Sequence, residues 1–191
     1  MKQLLLALLV LTVAPLAHAQ PESAYYGVSL GAFDYEEEDS LGGEVFADTA
    51  SSYRLMVGYQ FMEHLTVEGG YGKTGTIRDT TTFGLVGGGS VDVALRSKFS
   101  LLTIRLLGVL PFDNGVSLFG GLGYTDVKQD FAISVGGAAE QSGEITGNEP
   151  AYYVGAEYDW DRVAVRLAYE KFDFDGDVDV AETSISFFYK L

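Results

Sequence analysis

The sequence contains no cysteine, which excludes disulfide staples, thiolate nucleophiles and sulfur-ligated metal centres. Histidine is nearly absent. Beyond the first 20 residues only His64 remains, and it sits in a predicted tight turn where no Ser-His-Asp set can assemble at the opposite end of the molecule. No phosphate-cradling glycine loop is present. Gly87-Gly88-Gly89 is followed by neither a lysine nor a helical pattern, so it reads as a flexible loop. Basic residues are scarce, with 12 Lys and Arg against 27 Asp and Glu. So acidic a chain is a poor partner for nucleic acid, whose phosphates require cations. No catalytic residue, metal ligand set or cofactor site is expected.

Long apolar runs are also missing, save one. Leu4 to Leu11 is almost continuous leucine behind Met1-Lys2, and Ala17-His18-Ala19 follows. This is the layout of a secretory signal peptide over residues 1–19 with Gln20 as the mature N-terminus. The run is too short to span a bilayer, which takes about 20 residues. Removing Lys2 from the 12 basic residues leaves 11 against 27 acidic ones, a net charge of −16 for residues 20–191. That remainder is read as one domain.

What the domain does have is alternation with period two, the signature of β-strands. Tyr26, Val28 and Leu30 alternate with Gly27, Ser29 and Gly31. Tyr53 to Phe61 places apolar and aromatic residues at every odd position. The pattern recurs over Leu65–Gly72, Ser100–Leu110, Val116–Tyr124, Tyr152–Trp160, Val163–Glu170 and Ser184–Leu191. That makes eight strands. Their connections alternate in length. Met62–His64, Pro111–Gly115 and Asp161–Arg162 are tight, whereas Glu36–Ser52, Lys73–Lys98, Asp126–Glu149 and Lys171–Glu182 are long. Outer-membrane barrels pair short periplasmic turns with long external loops in this way.

The side facing lipid follows from the rings. Tyr53 and Tyr59 to Phe61 bracket the second strand, and Tyr152 and Tyr158 to Trp160 bracket the sixth. Leu, Val, Ala and Ile fill the middles. Aromatics at both edges of an apolar band are interfacial girdles. Eight steps at about 3.3 Å and a tilt near 40° give a belt roughly 20 Å high. The expected fold class is therefore all-β, an eight-stranded antiparallel up-and-down transmembrane β-barrel. Its opposite, inward face carries Arg54, Glu68, Arg105, Glu157, Arg166, Glu170 and Lys190. In a lumen this narrow these charges must pair, because an isolated buried charge is costly.

The segments Tyr25–Gly31, Tyr53–Tyr59, Gly108–Pro111, Leu118–Tyr124 and Tyr152–Tyr158, taken in order, resemble the OmpA-like transmembrane barrel superfamily, in particular its small stand-alone outer membrane protein β-barrel domain proteins. The resemblance covers nearly all of residues 20–191. It implies a Gram-negative outer membrane, termini in the periplasm and insertion by the barrel assembly machinery. The C-terminal assembly signal would be Phe187, Tyr189 and Leu191, with Leu in place of the usual final Phe. It also makes Glu68 and Arg105 candidates for a gate. The implied partners are outer-membrane lipid and lipopolysaccharide, with the protein a monomer.

Two acidic clusters, Glu36–Asp39 and Asp173–Asp179, are weak candidates for divalent cations. The second misses the EF-hand pattern because Lys171 stands where the first Asp belongs. Three roles are expected in order: envelope support, surface adhesion through the long acidic loops, and a narrow channel. Val91, Val93 and Leu95 alternate, as do Phe131, Ile133 and Val135. Strands are therefore expected to run on beyond the membrane and offer edges for surface binding.

Overall fold

The computed structural model describes residues 23–38, 44–84, 87–174 and 178–191. The expected leader over 1–19 and residues 175–177 of the second acidic cluster lie outside the described residues. Nine strands follow one another: β1 Ser23–Glu38, β2 Glu44–Met62, β3 Leu65–Thr74, β4 Ile77–Gly84, β5 Ser90–Pro111, β6 Val116–Val135, β7 Gln141–Trp160, β8 Val163–Phe172 and β9 Val178–Lys190. Every pairing is antiparallel, and each strand pairs with its neighbours in sequence except β3 with β4, β1 also pairing with β9. β3 bonds to both β2 and β5. That second partner closes the sheet into a ring and leaves no edge within the belt, which a lipid solvent demands because bare N–H and C=O groups have no other partner there.

The ninth strand is a break, not an addition. β3 stops at Thr74, Gly75 donates its N–H to Ser51 O at 2.6 Å, and β4 resumes at Ile77 along the same partner strand, β5. β3 and β4 are thus one wall stave in two pieces. Past the break the stave makes no backbone ladder with β2. There Arg78 N–H donates to the Asp48 carboxylate at 2.9 Å instead of to a backbone carbonyl. The expected eight-stranded ring is the observed one once this stave is read as a unit.

Lipid and lumen faces alternate as the chain pattern requires. Leu30, Val57, Leu122 and Leu167 point outward and are 56–64% exposed. Ser29, Arg54, Thr103, Arg105, Arg166 and Glu170 point inward and are buried. The tight turns close without strain on ordinary residues. Gly115 takes a φ of 81° and Asp161 one of 56°, the left-handed region that glycine and aspartate tolerate.

Much of the sequence expected as long loop is strand. β5, β6 and β7 are 22, 20 and 20 residues long, about twice the 9–11 residues a tilted crossing needs. Their outer halves project as a sheet, and there the alternation inverts. Within the belt β5 points Leu102 and Leu106 outward and Thr103 and Arg105 inward. Beyond it Lys98 and Arg96 face outward and Phe99 and Leu95 inward. The solvent outside the wall has changed from acyl chain to water, so the side needing apolar cover changes too.

The lipid face yields a test. Val57→Arg lies midway between Tyr53 and Phe61 on that face and is expected to lower unfolding free energy by about 2–4 kcal/mol, the cost of a midplane cation. Urea titration in phosphocholine vesicles, read by gel mobility with and without heating, measures it.

Candidate functional site: the luminal charge ladder

Three layers fill the lumen. At the long-loop end, Phe33, Tyr35, Phe99, Phe172, Ile77, Leu101, Val127 and Val180 form an apolar plug. Its rings are in contact, with centroids 5.2 Å apart for Phe33–Phe99 and 5.9 Å for Phe33–Phe172. At the short-turn end a cavity of about 360 Å³ opens, lined in part by Ser23, Tyr25, Thr66, Ser117, Glu157 and Lys190. Between plug and cavity runs a chain of ion pairs.

The chain begins beside the plug. Glu182, opposite Phe33 in the register, accepts from Ser52 Oγ at 2.8 Å and from Arg54 Nη2 at 2.6 Å. The other amino group of Arg54 donates to Glu170 at 2.7 Å. Glu170 also receives a two-pronged grip from Arg105, through Nε at 3.1 Å and Nη2 at 2.6 Å. Such fork geometry is the strong form of the pair. Below it, Arg166 bonds to Glu68 through Nη1 and to Glu157 through Nε at 2.7 Å. Tyr25 donates its hydroxyl to Glu68. Lys190 lies 3.9 Å from Glu157 and bonds to Asp159. Acid and base alternate from plug to cavity without a repeated sign.

One joint is looser than the others. Glu68 Oε2 is buried without a hydrogen-bond partner among the described residues, and Arg105 Nη1 approaches it only to 3.8 Å. The upper and lower halves of the ladder meet there. The guanidinium planes are also held by rings. Arg105 lies 4.1 Å from the Tyr153 ring centre, and Arg166 sits between Phe119 at 4.6 Å and Phe188 at 4.4 Å. Desolvated cation–ring contacts of this kind are worth about 2 kcal/mol. Glycines make room for them. A Cβ at Gly58 would overlap the Tyr25 ring, and one at Gly155 would overlap Phe119.

All seven charged residues singled out from the sequence, Arg54, Glu68, Arg105, Glu157, Arg166, Glu170 and Lys190, lie in this ladder. Glu68 and Arg105, the gate candidates, do not form the shortest pair, since each is committed to another partner. Sequence reasoning missed Glu182, Asp159 and Tyr25 as members. Glu182 fell in an expected loop, although it keeps the parity of Ser184, Ser186 and Lys190. His64 is exposed in its turn with Nδ1 3.2 Å from Val109 O. Gly87, Gly88 and Gly89 have φ values of 109°, 96° and 97°. No cluster of three metal-ligating side chains occurs among the described residues. Asp179, one of the acidic run, accepts from Lys171 at 2.7 Å.

A closed antiparallel ring with an oily exterior, aromatic girdles and a charged, filled interior defines an outer-membrane barrel. The chain belongs to the outer membrane protein beta-barrel domain family, whose pattern matches residues 4–190, and its place is the cell outer membrane. Solved structures agree on the fold. Ail, the attachment invasion locus protein of Yersinia pestis, superposes with a TM-score of 0.55 at 19% identity, covering 88% of this chain and 99% of Ail. OprG from Pseudomonas aeruginosa gives 0.54 at 14% identity, with coverage of 92% and 98%. Neisserial surface protein A gives 0.52 at 16%, with coverage of 88% and 99%. No curated protein sequence matches the chain.

Two variants probe the ladder. Glu170→Ala strands Arg54 and Arg105 and is expected to cost about 3–5 kcal/mol, measured by the same urea titration. Arg105→Ala is expected to remain silent in planar bilayers, because the aromatic plug above it stays in place. Conductance should appear only when Phe33→Ala and Phe99→Ala are added.

Proposed function

We propose that the protein is a non-conducting, non-enzymatic barrel whose working surface is the sheet it raises above the membrane. The observation that carries this is the length of β5, β6 and β7, whose outer halves form ordered sheet that membrane crossing does not require. That sheet offers what recognition by strand addition uses. Its β4 side makes no backbone ladder with β2, and its inward face carries Phe83 and Val135 at 45% and 48% exposure, with Val91, Val93 and Ile133 half-buried beside them. Isolated exposed apolar residues are ordinary, but a contiguous group marks an interaction surface.

Charge narrows the partner. Asp34, Glu36, Asp92, Asp126, Glu140 and Asp173 are exposed or project at this end, so a basic protein surface is favoured. The solved structure of Ail includes a complex with the heparin analogue sucrose octasulfate. A polysulfate would meet repulsion over most of the external surface here.

Envelope support is the second reading, favoured by a belt so thoroughly cross-braced by ion pairs. The outward-facing Phe187, Tyr189 and Leu191 on and after β9 serve as the assembly signal in either reading, after export by a cleaved leader. The two readings separate on one variant, a barrel with residues 128–146 replaced by a short turn. Displayed on a non-adherent Gram-negative host, the full protein is expected to hold cells on lysozyme-coated plates several-fold better than the trimmed one, by cell counting. If adherence is unchanged while deletion of the whole protein sensitises its native host to detergent and the trimmed barrel restores resistance, envelope support is the function.

A further inference from the structure

The cavity at the short-turn end serves none of the roles described so far. It measures about 360 Å³, the space of roughly a dozen waters at about 30 Å³ each, and falls in the size range of small-molecule sites. Tyr25 and Phe119 wall it on the ladder side, and Met62, Val109 and Pro111 wall it near the mouth. Two hydroxyls in this lining are unused. Thr66 and Ser117 are 3% and 6% exposed, and neither side chain makes a hydrogen bond among the described residues. Buried hydroxyls are ordinarily bonded, so both point to a polar occupant.

A third free acceptor stands beside Ser117. Ser117 on β6, Glu157 on β7 and Arg166 on β8 are successive register partners in one row. Arg166 delivers both Nε and Nη2 to the same oxygen of Glu157, Oε2, each at 2.7 Å. Oε1 is left with Lys190 Nζ at 3.9 Å, beyond hydrogen-bond reach, and Lys190 itself bonds to Asp159. The cations here are already claimed. Arg166 also serves Glu68, and Arg105, the next cation up, is gripped by Glu170. Arg166 and Lys190 therefore answer to Glu68, Glu157 and Asp159, and Glu63 adds a further carboxylate to the lining. Outside the lining, the turns at this end carry Arg162 and His64 but also Asp113 and Asp161. The excess charge is negative, and it borders an apolar hollow.

We propose that this cavity binds a small organic ammonium ion carried on an apolar stem. Glu157 Oε1 and the adjacent Ser117 hydroxyl accept its N–H groups, and the Thr66 hydroxyl offers a further polar contact from β3. The stem lies against Met62, Val109 and Phe119. An ammonium brings three donors and no acceptor, which suits a site rich in unused acceptors. A carboxylate in its place would be repelled by Glu157 and Asp159, and a neutral alcohol would leave the excess charge unmet. The inference goes beyond the role proposed above. It stands or falls separately from any protein partner of the raised sheet.

The test uses the full mature protein folded in dodecyl maltoside and three probes of one length: aminohexanol, which is an ammonium at neutral pH, hexanediol and hydroxyhexanoate. Binding is read from the chemical shifts of Ser117, Glu157 and Val109. Aminohexanol is expected to bind roughly tenfold more tightly than the diol, the gain of a hydrogen bond to a charged acceptor over a neutral one. Hydroxyhexanoate should bind least. Glu157→Gln should erase the preference, so that ammonium and diol bind alike. Lys190→Gln, which removes the competing cation, should tighten ammonium binding several-fold, a gain that a merely structural role for Lys190 would not produce. Asp126→Asn, at the external end, should change nothing. Should Glu157→Gln not fold, Asp159→Asn at the cavity rim carries the test, with a several-fold loss expected. The proposal is overturned if no probe shifts these resonances and the cavity holds water alone, or if the three probes bind alike. It is equally overturned if Glu157→Gln keeps the preference, if Lys190→Gln weakens binding, or if Asp126→Asn loses as much as Glu157→Gln.

Discussion

Closure of the sheet is the constraint from which the remaining features follow. In hydrocarbon an unpaired peptide group costs several kcal/mol, so the first and last staves must find each other. Here β1 meets β9 and β3 meets β5, and the ring is complete. A ring of eight staves encloses a space about one side chain wide on each side. Whatever points inward is removed from both lipid and bulk water, and the interior becomes a core with its own rules.

Those rules explain the ladder. The inward face cannot be uniformly oily, because an alternating ribbon with both faces apolar gives the chain no preference between inside and outside. Charged residues on one face fix the register, and once buried they must neutralise one another. Rings stacked on the guanidinium groups, and glycines that clear space for those rings, complete the packing. The aromatic plug then seals the external end, and a blind cavity remains at the other.

Much of this was legible in the sequence. Period-two alternation located all eight staves, their lipid faces and the seven charges Arg54, Glu68, Arg105, Glu157, Arg166, Glu170 and Lys190, since parity alone decides which side a residue takes. What escaped depends on partners distant in sequence. Glu182 belongs to the ladder because Arg54, on another stave, reaches it. The interruption at Gly75, beyond which β4 continues along β5 with no ladder to β2, is recorded by no local pattern. The outer halves of β5, β6 and β7 were harder still. Their alternation was visible, but its sense is reversed, so residues such as Phe99 and Leu101 that a belt rule sends outward are instead buried in the plug.

That reversal fixes a waterline on the molecule. Sinking the barrel by one pleat would draw Lys73 and its neighbours toward hydrocarbon, and lifting it would pull Tyr26 and Tyr189 of the lower girdle away from the headgroups into the acyl layer. Each displacement is opposed by a different set of side chains, so immersion depth is held from above and below at once. A bilayer of another thickness would have to deform to meet the protein, and the strip of lipid around it should take the protein's dimensions in preference to its own.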